Sequence, residues 1–382
     1  MFREGFCSSV WSMRHICAMA CAVYLACLTG CAGPKVTAGP VYFPPAPNTP
    51  RMQYLKGFSS TKDIDAEATK FSLFQLGDVD TKQEIVLIKP FGLAVHAGIL
   101  YLSDANGRII VLNLAKKEYA YLKGDFGAGK LKKPNGLAFD ADGSLYVADT
   151  QRKEVLVYDK DGNFQRALGK DLDLKPVDVA VDNDFLYVLD IGKNAVEILG
   201  KKSGQLEREV GNTGGKDEKL ALPISLTVDS DGYLYVTNAL SGKVMKLDRD
   251  GHVLLSFGEL GDAFGQFGRP RGITVDKEGI IYVADASHQN VQMFNGKGRL
   301  LMFFGDPGLP DGSLNLPAHV AVSYDNLEYF QKLADPSFVV EKVVFVTNQF
   351  GPAKLSIYGF GHPRGVEAES HESGPPEKKE KK

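Results

Sequence analysis

The chain has 382 residues, a formal net charge of −3, 41 glycines and many aromatic and β-branched residues. So even a charge balance excludes a nucleic-acid binder working through a basic stripe, and the composition suits a β-rich fold with many turns. All five cysteines lie within the first 31 residues, so the remaining chain has no disulfide, no cysteine-ligated zinc and no cysteine nucleophile.

In chain order, Arg3 and Arg14 give a basic start to an apolar run, "HICAMACAVYLACLTG", that ends in small residues. It falls short of the roughly 20 apolar residues of a comfortable membrane span and reads as a secretory signal. Its end, Leu28-Thr29-Gly30-Cys31, resembles the bacterial lipobox. The resemblance implies a lipoprotein signal peptide over residues 1–30, cleavage before Cys31, and a lipid such as palmitate on Cys31. Ala32 in place of an aspartate then implies sorting to the outer membrane, with the domain facing the periplasm or the surface. An ordinary secretory signal is the alternative, and Met13–Gly30 alone would make a complete signal, so Met13 is an alternative start. Residues 31–50, rich in Pro and Gly, read as a semi-stiff tether. Residues 361–382, charged and without apolar anchors, read as a disordered tail.

Between them one phrase is written six times. A proline followed by a short apolar strand recurs at Pro90, Pro134, Pro176, Pro223, Pro270 and Pro317, at intervals of 44, 42, 47, 47 and 47 residues. A second strand follows each: "LYLSD", "LYVAD", "LYVLD", "LYVTN", "IYVAD" and "VFVTN". Third strands ("VLVYD", "VQMFN") and fourth strands ending in Gly ("FQRALG", "LLSFG") complete the unit. In "SLYVAD" both alternating sets of side chains are apolar, as expected for a strand buried on both faces between neighbouring sheets. Proline suits a first strand residue that needs no ladder N–H. Gly92, Gly136 and Gly272, two residues after their prolines, suit a crowded axis. These repeats resemble NHL repeats, most closely in "GITVDKEGIIYVA" followed by "DASHQNVQMF". The resemblance implies an all-β, six-bladed β-propeller over residues 51–360. Blade six lacks a fourth strand of its own, and "MQYLKGF" at Met52–Phe58 is expected to supply it. In the insert that follows, "TKFSLFQL" is expected to form a short extra strand or helix.

Residues that recur in every blade point to structure. The Asp or Asn ending each second strand (Asp104, Asp149, Asp190, Asn238, Asp285 and Asn348) suits turn capping, because Asx side chains bond nearby backbone. "DADG", "DKDG", "DSDG" and "DRDG" lack the third ligand of a calcium loop and read as hairpin turns. Residues that differ between blades point to function. The two positions after each repeat proline lie at the mouth of the central channel, and there Asn135, Asp178, Ser225, Arg271 and His319 are polar among mostly apolar counterparts. His288, in the loop after a second strand, is expected to emerge near His319. Asp178 and His319, three blades apart, could brace a polar group, and Arg271 could make a bidentate contact to a carboxylate or phosphate.

Some propellers resembling this one are enzymes. Zinc needs three or four ligands at one point. Here His96 and His252 belong to the opposite end from His319, and His362 and His371 to the tail, so the histidine set of the amidating lyases is absent. A lactonase-like calcium site could use Asn135 and Asp178, but Phe91 stands where an acid would be useful. No nucleophile elbow, Walker loop or dinucleotide loop occurs. The expectation is a non-catalytic, lipid-anchored envelope scaffold without cofactor or metal, binding an envelope protein or a small ligand at the channel mouth. A metal-dependent hydrolase or lyase of the lactonase-like type is the alternative.

Overall fold

A computed structural model describes residues 39–64, 84–212, 215, 218–309 and 311–366. The signal segment, Cys31, "TKFSLFQL" and the tail beyond residue 366 lie outside the described residues. The described residues from Pro40 onward form one compact unit, built of six small antiparallel sheets. In blades one to five the four strands follow in chain order; blade two, for example, runs Pro134–Phe139, Leu145–Asp149, Glu154–Tyr158 and Phe164–Leu168. First strands of successive blades pack side by side, and the first strand of blade six, Pro317–Ser323, packs against that of blade one, Pro90–His96.

The second strands are the densest part. All five residues of Leu145–Asp149, Leu234–Asn238 and Ile281–Asp285 are buried. This is the both-faces burial that their apolar alternation demands. Their tyrosines do a second job. Tyr187 donates its hydroxyl to Asp182 (2.8 Å), Tyr235 to Asp229 (3.0 Å) and Tyr282 to Asp276 (2.9 Å). Each of these aspartates opens the turn between the first and second strands. Asp229 also caps that turn by accepting from the Asp231 and Tyr233 amides, while Gly232 adopts a φ of +84°. The "DSDG" turn is thus a hairpin whose first acid, Asp229, clasps the neighbouring strand. In blade six this connection is longer and carries a short helix, Leu327–Gln331, whose Phe330 packs on Phe345.

Met52–Phe58 pairs with Leu355–Pro363 and supplies the outer strand of blade six, so the two ends of the chain close the ring together. The sheet extends beyond the expected limits at both ends. Tyr42–Phe43, within the segment expected to be tether, pairs with Met52–Phe58, and Phe43 is buried against Phe304 and Tyr358. Two aromatic residues outweigh the prolines around them, because burying a side chain of that size contributes about 2 kcal/mol. Residues 361–363, expected to begin the tail, complete the last strand, and His362 there lies 3.6 Å from Glu341.

Candidate functional site

Each first strand starts at the channel mouth, so the residues after its proline are delivered to the axis. Both positions after every repeat proline line one cavity of about 360 Å³, together with Lys133, Thr150 and Ile191. The glycines are required by close approach. A Cβ on Gly136 would lie 1.8 Å from Asp178 Oδ1, and one on Gly272 would lie 2.5 Å from His319 Cα. Each small residue makes room for the polar tip of the next blade.

Hydroxyls stitch these tips together. Ser103 Oγ donates to the Asn135 carbonyl (2.5 Å), Thr150 Oγ1 to that of Pro176 (2.7 Å), Thr237 Oγ1 to that of Arg271 (2.7 Å), and Thr347 Oγ1 to that of Phe91 (3.2 Å). In each case a second-strand end of one blade holds the first strand of the next. The signal was present in "LYLSD", "LYVTN" and "VFVTN", where Ser or Thr precedes the terminal Asx, and sequence reading passed over it. At the blade three to four junction, where that position is Leu189, Asp178 takes the role. It is nearly fully buried and accepts from the Val179 amide (2.9 Å), the Leu226 amide (3.0 Å) and Ser225 Oγ (2.6 Å).

The expected gap between Asp178 and His319 is closed. His319 Nε2 lies 3.8 Å from Asp178 Oδ2 and 3.5 Å from Ser225 Oγ. The ring is narrow enough for side chains three blades apart to meet, so they form a plug across the axis rather than a brace around a guest. A second cavity of about 240 Å³ lies beyond them and shares Asp178 and His319 in its wall. His288 does not join the group: its ring sits 3.3 Å from both Asp285 and Asp262, in the loops outside the mouth. Asp285, the terminal Asx of that blade, accepts from the Gly268, Arg269, Ser287 and His288 amides and orients the whole loop.

Arg271 is different from its neighbours. Its Nε is buried without a hydrogen-bond partner, and no acid of the described residues is paired with its guanidinium. Burial, reinforced by Arg269, holds its pKa below the usual arginine value. A second like-charged pair lies on the same end, where Lys89 and Lys354 both sit over the Phe350 ring (4.8 and 5.8 Å), and burial together with Lys89 lowers the pKa of Lys354. The residue preceding the repeat proline is cationic and exposed in four of six blades: Lys89, Lys133, Lys175 and Arg269.

Of the mouth side chains that could hold a divalent ion, Asp178 has both oxygens accepting from amide and hydroxyl donors, while Asn135 donates its Nδ2 to Thr150 and does not use its Oδ1 in that bond. Among the described residues the one grouping of three metal-capable side chains is Asp248, Asp250 and His252, in a third-to-fourth-strand turn at the opposite end.

Residues 267–294 match the NHL repeat model. Over 145 residues the chain is 30% identical to the brain tumor protein of Drosophila melanogaster, a match spanning 35% of this chain and 13% of that protein. A protein of unknown function from Bacteroides thetaiotaomicron superposes with a TM-score of 0.56 at 18% identity, over 74% of this chain and 71% of that one. A gluconolactonase from Xanthomonas campestris superposes with a TM-score of 0.50 at 17% identity, over 85% of this chain and 98% of that one. At such identities both likenesses speak for the fold alone. The chain is a six-bladed β-propeller with an NHL repeat at residues 267–294.

Proposed function

We propose that this propeller is a non-catalytic, lipid-anchored scaffold of the bacterial envelope, and that the mouth end holds its partner or ligand. Arg271 carries the reading: a half-buried cation with an unbonded, buried Nε and no acid partner among the described residues, lining an open cavity, costs folding stability unless something else uses it. The surface supports the same end. Phe126, Leu222, Leu240, Leu260, Phe264 and Phe350 are exposed, and all lie in connections that leave the mouth ends of strands. The other end is not bare: Val366 is exposed in the turn after Leu355–Pro363, and Leu206, Leu254 and Leu301 are exposed near the start of fourth strands. The most exposed of the large hydrophobics, Phe264, Phe126 and Leu240, lie at the mouth end, and apolar side chains exposed there favour contact with another molecule. The lactonase-like alternative would have to use Asp178 while it also accepts from backbone and serine donors.

The test is photo-crosslinking in cells from position 133 at the mouth and from position 161 in an opposite-end turn, read by mass spectrometry. One envelope protein captured from position 133, silent from 161 and lost when Ala318→Trp fills the mouth, is the expected result. Equal capture from both ends, or none from the mouth, overturns it. The anchor is tested separately: labelled palmitate should enter the wild-type protein and not Cys31→Ser.

A further inference from the structure

We infer that the mouth cavity recognises a carboxylate attached to an apolar body. This rests on the mouth being the binding end and adds the chemistry of what enters it. Three observations converge. The cavity, at about 360 Å³, is within the range of roughly 300–1,000 Å³ common for small-ligand sites. Its walls are largely apolar, with Phe91, Val177, Ile191, Ile224 and Ala318 contributing. Arg271 stands in that wall with its buried Nε unbonded, while Lys133 lines the same cavity from its exposed rim. A planar, always-charged guanidinium offers parallel donors that match a carboxylate.

The negative group already present does not cancel this. Asp178 keeps its charge but is held in the axial plug by Val179, Leu226 and Ser225, and it is outnumbered by Arg271 and Lys133, which line the same cavity. Asn135, by contrast, spends its side-chain amide on Thr150. The cavity therefore presents positive charge over hydrocarbon, which selects a single anionic head with an apolar tail.

Two sources share that chemistry: the C-terminal carboxylate of a peptide ending in an apolar residue, and a free organic acid. Calorimetry on the full chain at low salt separates them, using the peptide Gly-Gly-Phe and 4-phenylbutanoate, each beside its carboxamide. At least one acid should bind, with its amide weaker by about tenfold or more, as expected for losing a charge-assisted hydrogen-bond pair. Arg271→Gln should remove that preference, and Arg271→Lys should restore part of it. Peptide binding alone assigns a chain terminus; binding of phenylbutanoate assigns a free acid. If neither acid binds the wild-type protein, or acid and amide bind equally, the carboxylate assignment is wrong. The wild-type comparison needs no variant to fold. Partner capture that is lost in Ala318→Trp and unchanged in Arg271→Gln would sink this inference while leaving the mouth as the docking end.

Discussion

The two ends of the ring are built from the same strands and spend most of their polar residues on their own chain, but they differ in what they leave over. At the turn end, blade after blade spends its acid on its own chain: Asp182, Asp229 and Asp276 each clasp a tyrosine hydroxyl and cap a hairpin. At the mouth end the blades disagree, and one of the odd residues, Arg271, has a buried Nε without a hydrogen-bond partner and no paired acid among the described residues. A repeated polar residue is maintained by folding. A polar residue found once, and unsatisfied, costs stability and points to something outside the fold.

That contrast can be broken by stability measurements. The largest effect should come from removing residues 39–58, which bury Phe43, Met52 and Phe58 and close blade six; the melting temperature should fall by about 10 °C or more. An unchanged melt would mean that the ring closes without this strand. Next, Gly136→Ala should cost about 3 kcal/mol, because its Cβ would collide with the buried Asp178; this separates the stitched inner ring from the open cavity above it. At the turn end, Asp229→Ala removes acceptors from two amides and the Tyr235 hydroxyl and should cost about 2 kcal/mol in denaturant titration.

Alkaline melting probes all the clasps at once. Burial and Asp140 push Tyr146 up to about 12, from an ordinary value of 10.0. Tyr187 and Tyr235 are raised by burial and by their aspartates. A tyrosine whose folded value is raised keeps its proton after the unfolded chain has lost it, so its contribution is present below pH 10 and disappears as pH climbs toward 12. Melting temperature should fall steeply across that window, less so in Tyr146→Phe; a flat profile would show that the clasps add nothing. Smallest of all, Arg271→Gln should leave stability within about 1 kcal/mol or raise it. A loss as large as that of Asp229→Ala would erase the distinction between the ends.

Much of this was legible in the sequence because a propeller is periodic. The prolines counted the blades, the missing fourth strand of blade six identified Met52–Phe58, and the offset from each proline placed two residues per blade at the mouth. Periodicity says where a residue starts, and it is silent on how far its side chain reaches. The ring's inner diameter decides that Asp178 and His319 touch, and no single blade encodes a diameter. His288 follows a strand that ends at the mouth, yet Asp285 and Asp262 draw its ring into the outer loops. Tyr42–Phe43 was hidden among prolines because composition outweighs two aromatics when a segment is read by average.

Closing the ring with a strand from the beginning of the chain also sets an order of events. Met52 pairs with Phe360 and Phe58 with Leu355, so among the described strands one made early waits for the one made last. Until then the edge of Leu355–Pro363 and the waiting strand are both unpaired, and such edges accept any matching strand nearby. Long-range pairing of this kind is slow to form. The seam in blade six is therefore the last joint to set during synthesis, and the place where a second, half-finished copy can insert its own strand.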